Sequence, residues 1–139
     1  MMRGRCFAYL TVFAGLLAAC DHQGLTHNAP AARTIEITEV VKPGTVYAKA
    51  GEEIRWQNRR ANPVRVGFLS KRLLNDLACR KGVSAFLGEV DDLVTIEPGE
   101  SIGICPLRSG VLQYNVWFDP DNPKGAISPT GTIHVENGG

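Results

Sequence analysis

The chain has 139 residues, with 15 Lys+Arg against 14 Asp+Glu and a formal net charge of +1. Once a leader is removed, that length accommodates one domain with a hydrophobic core, and not two. The near-neutral balance argues against a nucleic-acid binder, and no phosphate-binding glycine loop or G-x-S-x-G nucleophile motif occurs.

Arg3 and Arg5 give a positive start, followed by an apolar run from Cys6 to Ala19. This run is too short to span a bilayer and reads as the hydrophobic region of a signal peptide. Leu17-Ala18-Ala19-Cys20 resembles the lipobox of bacterial lipoproteins. The resemblance implies that residues 1–19 are cleaved and that Cys20 is acylated, with chains such as palmitate. Two or more chains hold a protein stably at a membrane, each buried methylene contributing about 0.8 kcal/mol. Asp21 resembles the signal that retains some Gram-negative lipoproteins at the inner membrane. The expected address is therefore the bacterial cell envelope, lipid-anchored on the periplasmic side, with the inner membrane favoured over the outer.

Residues 20–33, with Gly24, Asn28, Pro30 and several alanines, read as the lipidated cysteine and a flexible tether. His22 and His27 fall in this tether, where solvated histidines are favoured over a loose metal site. Of the four cysteines, Cys6 leaves with the leader and Cys20 takes the lipid, so Cys79 and Cys105 remain. In an oxidising compartment a single structural disulfide is the simplest outcome. A redox pair or a pair of metal ligands would need a C-x-x-C motif or a nearby histidine, and neither is present.

A domain is expected over residues 34–137. Thr34-Ile35-Glu36-Ile37-Thr38-Glu39-Val40 alternates polar and apolar residues, as a half-buried strand does. Lys42-Pro43-Gly44 breaks the run, Val46-Tyr47-Ala48 is a second extended piece, and residues 53–58 alternate again with Ile54 and Trp56 on one face. Residues 64–68 read as the next strand. Leu69, Leu73, Leu74 and Leu77 have helical spacing, which predicts one short helical insertion over 69–78. Further strands are expected at 94–96, 101–105, 111–118 and 131–136, with a long turn over 119–131. Seven or eight short strands separated by turn signals predict an all-β, Greek-key antiparallel β-sandwich. Basic residues concentrate in 55–81 and acidic ones in 89–100. These are expected to be two solvated surfaces that pair partly with one another, rather than a docking face.

The string Ala50-Gly51-Glu52-Glu53-Ile54-Arg55-Trp56-Gln57-Asn58 is similar to the turn and strand leading to the first copper ligand of the small blue copper proteins, the cupredoxins. Glu97-Pro98-Gly99-Glu100-Ser101 resembles a later turn of that family, Gly110-Val111-Leu112-Gln113-Tyr114-Asn115-Val116 its cysteine-bearing strand, and Gly131-Thr132-Ile133-His134-Val135 its closing strand. The resemblance implies a cupredoxin-like domain, with the family's ligand positions falling at Val64, Val116, Asp119 and Pro129. A type 1 copper site needs a thiolate and two imidazoles, usually with a weak thioether, which these residues do not supply. His134 lies in the closing strand with Thr132 and Glu136 on its face, and reads as a strand histidine rather than a ligand.

The expectation is a copper-free binding or structural module with no cofactor and no enzymatic activity. Its partners would be the membrane, through Cys20, and a protein or small ligand at the loop end of the sandwich. Val64 and Val116 are expected to plug the vacated site. Trp117 and Phe118 are candidates for partner binding; being adjacent on a strand, one is expected in the core and the other exposed. The alternative is a copper carrier or electron-transfer protein using an unconventional site.

Overall fold

Alternation of apolar residues sorts each strand into an inward and an outward face. In the computed structural model, which describes residues 32–83, 85–86, 89–90 and 93–139, Ile35 and Ile37 of β1 (Arg33–Ile37) are fully buried, as are Ile54, Trp56 and Asn58 of β4 (Ile54–Asn58). The remaining strands are β2 (Val41–Lys42), β3 (Thr45–Lys49), β5 (Val64–Phe68), β6 (Leu77–Lys81), β7 (Ala85–Phe86), β8 (Glu89–Val90), β9 (Leu93–Ile96), β10 (Ser101–Pro106), β11 (Gly110–Trp117) and β12 (Gly131–Glu136).

Two five-stranded sheets form the sandwich, one in the order β2-β1-β4-β10-β6 and the other β3-β12-β11-β5-β9; β7 and β8 make a separate hairpin. The expected β-sandwich is present, but its pairing is not wholly antiparallel. β1 runs parallel to β4, and β3 parallel to β12.

Between the sheets Trp56 meets Phe68 and Tyr114 edge to face, with centroids 5.5 and 5.3 Å apart. That arrangement suits the quadrupoles of the rings. Full burial of such large side chains contributes about 1.5–3 kcal/mol each, so the Trp56–Tyr114 pair is a major anchor of the core. The phenol ring occupies the space a Cβ on Gly131, its cross-strand partner, would need.

The helix expected over 69–78 reduces to a single 3-10 turn, Arg72–Asn75. Leu73 and Leu74 are buried, whereas Leu69 is 55% exposed. The chain is already extended at Leu77, because β6 pairs with β10 and Cys79 is disulfide-bonded to Cys105, its register partner. A helix continuing to 78 would break that ladder.

At one end of the sandwich Arg33 donates its backbone N–H to the Glu53 carbonyl, and Ala50 donates to that of Glu136. The start of β1 and the end of β12 therefore meet beside the turn that precedes β4. The opposite end carries the connections from Asn58 to Val64 and from Trp117 to Gly131. No helix among the described residues is long and apolar enough to cross a membrane. Cys20, His22 and His27, with the expected leader and tether up to Ala31, lie outside the described residues.

Candidate functional site

The loop end is organised by one buried amide. Asn58 Nδ2 donates to the carbonyls of Asn62 and Ile96, both at 2.9 Å, and Asn58 Oδ1 accepts from the Arg60 N–H at 2.9 Å. Its backbone carbonyl also accepts from Gly99 at 3.0 Å. The loop before β5 is thereby tied to the end of β9. A buried amide is stable only when satisfied in this way.

Val64 begins β5 opposite Ile96, and Val116 lies opposite Val66; both valines are fully buried in the core. Val116 is locked to the following loop by Ser128. The Ser128 hydroxyl accepts from the Val116 N–H at 2.9 Å and donates to the Pro129 carbonyl at 2.9 Å, while the Ser128 N–H donates to the Val116 carbonyl at 2.8 Å. Pro129 itself is exposed. Asp119 is exposed too, and its carboxylate accepts from the Asp121 N–H at 3.1 Å, the work of a turn former. Thus two of the four expected ligand positions lie in the core and two on the surface.

Among the described residues the donor set of a type 1 copper centre is not assembled. No three His, Cys, Asp or Glu side chains come close enough to hold a metal. Cys79 and Cys105 are bonded to each other. His134 stacks on Tyr47, with ring centroids 4.9 Å apart and planes at 13°. Hydrocarbon at Val64 and Val116 offers copper no ligand.

Trp117 and Phe118 do not divide into one core and one exposed residue; both are half-buried. Phe118 packs against the edge of the core with the Arg60 guanidinium 5.0 Å above its ring, a cation–π contact. Arg60 in turn donates to the Thr38 carbonyl at 3.1 Å and the Glu39 carboxylate at 3.0 Å. Trp117 turns the other way, onto the outer face of the second sheet. Its cross-strand partner there is Arg65, and the indole lies over Gly67. Arg65, Leu93, Trp117, Pro120 and Pro123 enclose a cavity of about 220 Å³. Beyond Pro120 a second cavity of about 390 Å³ is lined by polar groups that include Arg60, Asn62, Asp119 and Asp121.

The expected pairing of the basic stretch 55–81 with the acidic stretch 89–100 falls partly outside the described residues, which do not include Asp91 and Asp92. Arg55 pairs with Glu53 at 2.8 Å, Arg59 with Glu36 at 3.3 Å, Arg60 with Glu39 at 3.0 Å and Arg108 with Asp76 at 3.0 Å. These carboxylates do not come from the acidic stretch 89–100. No ion pair to Arg65 forms among the described residues.

Sequence reasoning missed Asn58 as an organiser, Ser128 as the clasp on Val116, and the walls of the Trp117 cavity. Gly67 was the available signal, since a glycine inside a strand often marks the close approach of another group.

No family model matches the chain. Solved structures of amicyanin variants are similar to it in fold. One, a copper(I) form, is 17% identical with a TM-score of 0.52, over 76% of this chain and 82% of that one. A reduced variant is 16% identical with a TM-score of 0.54, over 79% of this chain and 87% of that one. Another copper(I) form is 17% identical, also with a TM-score of 0.54 and the same coverage of 79% and 87%. The fold of this chain is cupredoxin-like; at such identity the likeness extends to the fold alone.

Proposed function

We propose that this chain is a membrane-anchored extracytoplasmic lipoprotein whose copper-free, cupredoxin-like domain acts as a binding module. Its recognition surface is the loop end together with the adjoining sheet face. Supporting the copper-free part, Val64 and Val116 fill the expected ligand region with buried hydrocarbon. The observation that carries the binding role is Trp117, a half-buried indole bordering an apolar cavity next to the rigid loops. Aromatic side chains held in this way commonly anchor contacts, and loops on a fixed scaffold commonly carry function. Cys20 supplies the membrane partner, and the module is not an enzyme.

Metal content and visible absorbance of the full chain, purified from membranes, exposed to copper and freed of excess, test the first part. Near-zero copper with no blue absorption is expected. Stoichiometric, tightly held copper would overturn the reading in favour of a copper carrier or electron-transfer protein. For the anchor, Cys20→Ala is expected to abolish palmitate incorporation; unchanged labelling would refute lipidation at Cys20.

A further inference from the structure

Resting on that reading, we propose that the cavity beside Trp117 binds a small aromatic carboxylate, with the ring against the indole and the carboxylate on Arg65. The walls define the chemistry. Leu93, Trp117, Pro120 and Pro123 offer apolar surface, and Arg65 is the charged group among the described lining residues. In the ladder Arg65 stands directly opposite Trp117, so their Cβ atoms are about 5 Å apart. An arginine side chain starting from a Cβ so placed is long enough to bring its guanidinium to the margin of the indole, where an anion attached to a stacked ring would fall.

Arg55, Arg59, Arg60 and Arg108 are each matched by a carboxylate. Arg65 has no such partner among the described residues, and its planar fork suits a carboxylate in bidentate geometry. Asp119 and Asp121 line the other cavity, across Pro120, and do not line this one.

Size narrows the class further. The volume of about 220 Å³ exceeds the roughly 150 Å³ that accommodates benzene and falls below the roughly 300 Å³ at which drug-sized sites begin. One ring or a fused pair fits. Trp117 rests over Gly67, with Leu93 close to the same position, and the prolines are stiff, so little ordering cost falls on binding.

The test uses full chain labelled with 5-fluorotryptophan, in lipid nanodiscs. The protein has two tryptophans, so fluorine NMR gives separate reports from Trp117 and Trp56, assigned with Trp117→Phe. Indole-3-carboxylate, its neutral carboxamide and acetate are titrated in turn. Saturable movement of the Trp117 resonance by the carboxylate is expected, with Trp56 unmoved. The carboxamide should bind roughly tenfold or more weakly, as loss of a charge-assisted bond implies, and acetate should cause no shift. Arg65→Met should bring the carboxylate down to the level of the carboxamide. Equal binding of acid and amide, an unchanged response in Arg65→Met, or a still Trp117 resonance at millimolar probe would each overturn the proposal. Copper added to the same sample separates the two failures. Tight copper uptake sinks the binding-module reading, whereas no copper and no ligand shift sink the cavity assignment alone.

Discussion

A Cβ placed on Gly67 would lie 2.8 Å from Cη2 of Trp117 and 3.0 Å from Cδ2 of Leu93, so glycine at this position is what allows the indole to rest on the sheet. Neither contact involves positive φ; the requirement is for space. Gly67→Ala is expected to lift Trp117 toward solvent at a cost of about 1–3 kcal/mol, the range for overpacking a filled site. The emission of the chain should shift to the red, and that shift should vanish in a Trp117→Phe background. Unchanged emission would mean that the indole does not depend on Gly67.

Asn58 makes three hydrogen bonds through one buried side chain. Asn58→Ala strands the Arg60 N–H and two carbonyls at once. The expected loss is about 2–4 kcal/mol, from desolvation of groups left unpaired. Urea unfolding measures it. A loss below about 0.5 kcal/mol would show that the loop satisfies these groups by other means.

The disulfide closes a loop with a sequence separation of 26. In the chain-entropy model this contributes about 3.5 kcal/mol. Reduction, or the double change Cys79→Ser with Cys105→Ser, should lower the unfolding midpoint by a corresponding amount. Because β6 is an edge strand held to β10, its amides should lose hydrogen-exchange protection before those of β4 and β11. Uniform loss across the sheets would contradict that local role.

Two side chains set opposite pH limits. Burial of the Tyr114 phenol pushes its pKa up to about 12, and the nearby Trp56 N–H, short of hydrogen-bond geometry, offsets little of the rise. The unfolded phenol ionises near its ordinary value of 10.0. Tyr114 therefore contributes stability that is complete below pH 10 and is lost as pH approaches about 12. Glu52 acts at the acid side. The Lys49 backbone N–H, 2.9 Å from its carboxylate, holds its pKa below the usual 4.5, with Arg33 assisting. Its contribution is present above pH 4.5 and is lost as pH falls through the lowered value. Tyr114→Phe should flatten the alkaline limb of stability against pH, and Glu52→Gln the acid limb, each leaving the other unchanged.

Period-two alternation located most of the strands because burial repeats every second residue, and Ile35, Ile37, Ile54 and Trp56 show it plainly. The direction of pairing was not legible. Whether β1 runs with β4 or against it depends on distant connections, and no local pattern encodes it. The leucines at 69, 73, 74 and 77 carried a false helical signal. Leu73 and Leu74 are buried by one 3-10 turn, Leu77 belongs to a strand and Leu69 faces solvent. At the loop end the valines at 64 and 116 were readable as core from their chemistry. Ser128 was not, since a serine in a long turn gives no hint that it binds a backbone amide twelve residues earlier. The Trp117 cavity brings together three strands and a turn, a juxtaposition visible only once the register is known.

The first and last strands of the sandwich reach the same end, where Arg33 meets Glu53 and Glu136 meets Ala50. An immobilisation handle placed after Gly139 would consequently hold the molecule by the end at which β1 begins, with residues 59–63 and 118–130 pointing outward. A sensor chip coupled through the carboxyl terminus thus presents the loop end to solution, whereas coupling through Lys124, in the turn after Trp117, would hide that end.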